Sequence, residues 1–210
     1  MRRLLPYCLA GLACTAAPAA LVEAAAPSSA APYPIAEVLG AARDACSQLS
    51  SRDAAAAKVA ASGWTMAADP YATPVGDLVR LGYKAGAELL AKRGKLDKEP
   101  LVFSRQVSGE ALYLVLSSVE VDGTGVLGCR TYDVGEERRI DPAAATAWAG
   151  RKPDQTIERA ELAKYTWQPG LTPGQDSFEI FHVPAESPLI GLIKISGIAI
   201  KADQVSDLQR

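Results

Sequence analysis

The stretch Ala111–Val134, ALYLVLSSVEVDGTGVLGCRTYDV, places an apolar, β-branched run on each side of Asp122-Gly123. Asp and Gly tolerate the positive φ that a tight primed turn needs, so the pattern predicts a β-hairpin. With a two- or four-residue turn, the strand period of two puts Leu112, Leu114, Leu116, Leu127 and Cys129 on one face. Tyr113, Val115, Val119, Val126 and Tyr132 then share the other. A three-residue turn with a bulge would move Cys129 opposite the leucines. The glycines also spell G-x-G-x-x-G over residues 123–128. In a dinucleotide fold that motif leads into a helix whose N-terminal amides hold the pyrophosphate. Here the strand-like run Cys129–Val134 follows, so the glycines are assigned to turn chemistry.

Upstream of the hairpin the periodicity is helical. Ile35, Val38, Leu39, Ala42, Cys46 and Leu49 recur at three- and four-residue steps and form one apolar stripe. Cys46 lies on that stripe and faces the core. Ser50–Asp53 can cap a second helix through the Ala-rich segment that Gly63 stops, with Trp64 as an anchor on the core. The pattern leaves open whether residues 35–62 form one helix or two. Thr73-Pro74 opens a further helix, with Thr73 as N-cap and Asp77 near the positive end of the dipole. Gly76, Gly82 and Gly86 weaken it by up to about 1 kcal/mol each relative to Ala. The charged segment Ala91–Pro100 is expected as a loop.

Strand patterns dominate the remainder: Leu101–Val107, the hairpin, Thr156–Trp167, Asp176–Val183 and Ile190–Ile200. A short helix from Asp141-Pro142 to Trp148, stopped by Gly150, interrupts them. Helices followed by sequential strands predict an α+β domain. Its N-terminal helices would pack on one face of an antiparallel, mainly meander sheet of about five to six strands. The domain is expected over residues 35–203, after a linker at 27–34 and before a frayed tail at 204–210.

The chain has 210 residues, 49% hydrophobic and 22% charged, with a formal charge of −2. That balance favours neither nucleic acid nor an anionic membrane as partner. Residues 1–26 resemble a cleaved secretory signal: Arg2-Arg3, an apolar stretch, then small residues around Ala17-Pro18-Ala19 and Ala24–Ala26. Pro6, Pro18 and Glu23 break the apolar run that a membrane span would need. Lipid attachment at Cys14 is the alternative, weakened by Gly11 where such sites want a branched apolar residue. Export to the periplasm or cell surface, in a bacterial envelope, is the expected location. Cys46 and Cys129 remain after processing, and two cysteines in an oxidising compartment most simply form one disulfide.

Catalytic signatures are missing: no G-x-S-x-G, S-x-x-K, H-E-x-x-H or Walker A pattern occurs. His182 is the single histidine and lies on an apolar strand, the setting of a packed residue. One His and two Cys cannot build a structural zinc site, and no cofactor is implied. Tyr165 and Trp167 share a strand face and would form a binding platform if exposed, or core if buried. Tyr113 and Tyr132 are further candidates on the hairpin's second face. The expected function is a non-catalytic binding or interaction domain for an envelope protein, peptide or glycan. The alternative is a hydrolase with scattered Asp/Glu and His182 as acid or base.

Overall fold

The computed structural model describes residues 31–91, 94–96 and 99–207. The expected export segment and linker residues 27–30 lie outside the described residues. Along the chain come the helices Ile35–Ala45 (α1) and Arg52–Ala61 (α2), the short strand Thr65–Met66 (β1) and the helix Gly76–Leu90 (α3). The strands Gly94–Leu96 (β2), Leu101–Val107 (β3), Glu110–Val121 (β4) and Thr124–Val134 (β5) follow. After the helix Pro142–Ala149 (α4) come Gln155–Glu158 (β6), Ala163–Trp167 (β7) and Ser177–Val183 (β8). A helical turn at Ile190–Ile193 (α5) leads into Gly197–Asp207 (β9).

All pairings are antiparallel, in the order β1-β3-β4-β5-β9-β8-β7-β6, with β2 added on β4. Two meanders therefore meet. The first runs β3-β4-β5; the chain then crosses to the far edge, and β6-β7-β8-β9 returns to seat β9 against β5. The central hairpin closes with Val121 opposite Thr124. Asp122 and Gly123 both have positive φ (49° and 78°), the geometry of a primed two-residue turn. Leu116 lies opposite Cys129 and Tyr113 opposite Tyr132, as the period of two requires.

The two faces carry separate cores. On the first, Leu112, Leu114 and Leu116 are fully buried with Phe103, Ile180, Ile200 and Trp167, beneath α1, α2 and α4. Each buried side chain of this size contributes about 1.5–3 kcal/mol. Cys46, the residue after α1, forms a disulfide with Cys129 across 83 positions, Cα–Cα 5.8 Å. On the second face a smaller core joins Val75 and Val79 to Val102, Val115 and Tyr132.

Several expectations are corrected. Among the described residues the sheet has nine strands rather than five to six, because β1 and β2 are too short to show a period and residues 156–167 divide into two strands. Helices cover both faces: α1 and α2 lie on one, α3 on the other. The choice the pattern left open over residues 35–62 falls to two helices, with Ser51, within the expected cap, accepting from Ala54 N. Thr73 does not cap α3, since its hydroxyl donates to Pro70 O. The segment 156–167 is two strands, because Arg159 N bonds to Leu162 O and turns the chain. The run 190–200 breaks at Lys194, which adopts φ 62°, and the strand begins at Gly197. A Cβ at Gly197 would lie 2.8 Å from Gly135 N, so only glycine fits there. β9 continues to Asp207 opposite Thr124, where a frayed tail was expected. Tyr33, placed by sequence in the linker, is buried in the first core.

Candidate functional site

α3 meets the second face through Val75 and Val79, one turn from its start. Further along the helix, Gly82 and Gly86 present no side chain to the sheet. A groove of about 320 Å3 results, lined by Leu78, Val79, Val115, Val119, Tyr132 and Arg130 among others. A Cβ added at Gly82 would meet nothing within 4 Å. This glycine therefore weakens the helix without being needed for close packing, and it leaves the groove open. Leu78 and Tyr132 also border a second, apolar cleft of about 280 Å3, walled by Phe181, Val183, Ile193 and Ile195. The two hollows share Leu78 and Tyr132 in their walls and are together called the trough.

Beside the trough, strand register lines up a charged ladder. Glu179 pairs with Lys201 and Lys201 with Arg130, while Asp203 pairs with Gly128. Lys164 Nζ lies 2.7 Å and Lys201 Nζ 3.3 Å from the Glu179 carboxylate. Lys201 Nζ is also 2.6 Å from Asp203, and Arg130 Nη2 is 3.6 Å from it. Burial raises the Glu179 pKa, but the hydrogen bond from Lys164 and the Lys201 charge outweigh it and hold it below the ordinary value. Arg130 Nη1 donates to Ser117 Oγ at 2.6 Å. The guanidinium lies where a Gly128 side chain would stand: a Cβ there would be 2.8 Å from Arg130 Cζ. The third glycine of the G-x-G-x-x-G run thus makes room for an arginine.

A second polar cluster sits where β4 begins and β5 ends. Glu110, Asp133 and Glu136 each offer a carboxylate oxygen within 4.8 Å of the others. Tyr33 donates its hydroxyl to Asp133 Oδ2 at 2.9 Å. Arg138 bonds both Glu110 (2.7 Å) and Glu136, and its guanidinium stacks 5.3 Å over the Tyr33 ring. Burial, with the charges of Glu110 and Glu136, pushes the Asp133 pKa up to about 6, against the Tyr33 hydrogen bond and Arg138. The hydrogen bonds from Arg138 hold Glu136 below the usual carboxylate range. A cation at the three carboxylates would compete with a guanidinium already seated there. The arrangement ties the N-terminal segment, the hairpin base and the loop before α4 together.

The residues singled out from sequence separate onto the two faces. Tyr165 and Trp167 are buried in the first core, where Trp167 packs 5.9 Å from Phe178, so they offer no platform. Their polar atoms are satisfied internally, Tyr165 Oη by Glu158 and Trp167 Nε1 by Arg151 O. Tyr132 lines the trough, and Tyr113 borders the carboxylate cluster. His182 is 3% exposed, and its ring faces the Glu136 and Glu137 main chain. Burial and the Arg139 charge depress its pKa, opposed by the adjacent Glu136 and Glu137 main chain. Ile198 stands between it and Asp133 in the register, so His182 and Asp133 do not form a direct acid–base pair. Sequence reasoning passed over Arg130, Ser117 and the role of Gly82. The period that placed Tyr132 also placed Arg130 on the second face, but a single strand arginine carries no signal of its neighbours. No family profile, curated protein or solved structure matches the chain.

Proposed function

We propose that the protein is an exported, non-catalytic binding module that holds a small, largely apolar molecule in the trough between α3 and the sheet. The observation that carries this is the open groove at Gly82, where the helix forgoes both a side chain and helix propensity without any steric need. The volume lies at the lower end of ligand pockets, and the lining of apolar residues with a few convergent polar groups is their usual chemistry. Export is supported by the signal-like residues 1–26 and by the Cys46–Cys129 disulfide, a bond that persists in oxidising compartments.

The test is titration with Nile red, a neutral apolar dye. Saturable binding at one site is expected, with Gly82→Leu weakening it at least tenfold while the melting temperature stays within a few degrees. Binding that is unsaturable, or unaffected by Gly82→Leu, contradicts the proposal. A hydrolase using Asp133 is the alternative, favoured by its pKa of about 6. Against it, both neighbouring glutamates are engaged by Arg138, and Ile198 separates His182 from Asp133.

A further inference from the structure

We infer that the trough's ligand is a singly charged amphiphilic carboxylate and that Arg130 reads its head group. The inference rests on the trough being a ligand site and adds the chemical class. Arg130 is built into place rather than left to solvent. Gly128 opens the space for its guanidinium, Ser117 fixes Nη1, and the side chain is 30% exposed. Of the five N–H donors a guanidinium carries, one makes a hydrogen bond among the described residues. Asp203 Oδ1, 3.6 Å from Nη2, forms an ion pair with Arg130 but no hydrogen bond. Its other oxygen is taken by Lys201. Arg130 lines the groove and Asp203 does not. Arg130 is the one cation among the groove's described lining residues, and arginine binds a carboxylate in bidentate fashion.

The charge of the ladder sets the valence. Lys164, Lys201 and Arg130 face Glu179 and Asp203, so one positive charge is in excess. Lys201 is shared between two carboxylates, and Lys164 lies on Glu179 and over the Phe181 ring. A single negative charge completes the balance, whereas a phosphate dianion leaves one charge unmatched in a partly buried site. From Arg130 the apolar wall runs through Val115 and Val119 on the sheet and Leu78 and Val79 on α3. It suits an alkyl tail.

Isothermal titration with decanoate, decanol and decyl phosphate decides this. The wild type is expected to bind decanoate at least tenfold tighter than decanol. Arg130→Gln should bring decanoate to the decanol level while leaving decanol binding unchanged, which also shows that the variant's groove is intact. Equal binding of decanoate and decanol by the wild type, or a preference that survives Arg130→Gln, overturns the head-group assignment and leaves the trough standing. Tighter binding of decyl phosphate than decanoate overturns the single-charge assignment. Failure of all three probes to bind overturns the trough as a ligand site, and the inference with it.

Discussion

Asp133 and His182 are buried ionisable groups on one face of the sheet, and their linkage to pH has opposite signs. The Asp133 pKa is raised to about 6 from an ordinary 3.8, so the folded protein holds that proton more tightly than the unfolded chain. Its contribution is fully present below pH 3.8 and is lost as pH rises through about 6. The His182 pKa is lowered from 6.5, so its contribution is present above pH 6.5 and is lost as pH falls through the depressed value. Urea unfolding between pH 4 and 7 separates them. Asp133→Asn should remove the gain on acidification, and His182→Leu should remove the loss. A pH profile unchanged by either variant contradicts these assignments. At this scale the sequence discloses residue type and strand face, which placed Tyr132 and Cys129 correctly. It could not disclose that Gly128 leaves room for the Arg130 guanidinium, because that contact depends on side-chain direction.

Among the elements, the hairpin Glu110–Val121/Thr124–Val134 was legible because its turn chemistry and its alternation agree. Only Leu112, Leu114 and Leu116 facing one way buries a continuous apolar surface. The helix α1 was equally plain from its stripe, and the disulfide followed from having one cysteine on each. Elements of two or three residues, β1 and β2, contain too few positions to express any period. The split of residues 156–167 was masked because Ile157 and Tyr165, eight positions apart, satisfy helical and strand spacing alike. Loop-closure entropy for a crosslink this long gives about 4–5 kcal/mol, and typical measured effects are about 2–4 kcal/mol. Cys46→Ser/Cys129→Ser should therefore lower unfolding free energy by about 2–4 kcal/mol. It should leave Nile red binding intact, because the disulfide and the trough lie on opposite faces. Unchanged stability in the double variant contradicts a welding role for the bond.

For the molecule as a whole, the α+β class was readable but the joining of two meanders at β5 and β9 was not. Those strands start more than seventy positions apart, and local pattern carries no record of which distant edge a strand will meet. The consequence is a long central sheet with helices on both faces, and among the described residues the core on the first face is the larger. The face with the smaller core holds the trough. Export makes a prediction at this scale: mature protein recovered from the producing cell should begin between about residue 20 and residue 27. An intact Met1 contradicts it. The central claim, that the space under α3 is a binding site, is tested most directly by methyl NMR of the oxidised protein titrated with decanoate. Saturable shifts at Leu78, Val79, Val115 and Val119, with Leu39, Leu112 and Leu114 unmoved, are the expected result. Shifts confined to residues outside the trough, or no shifts, contradict it.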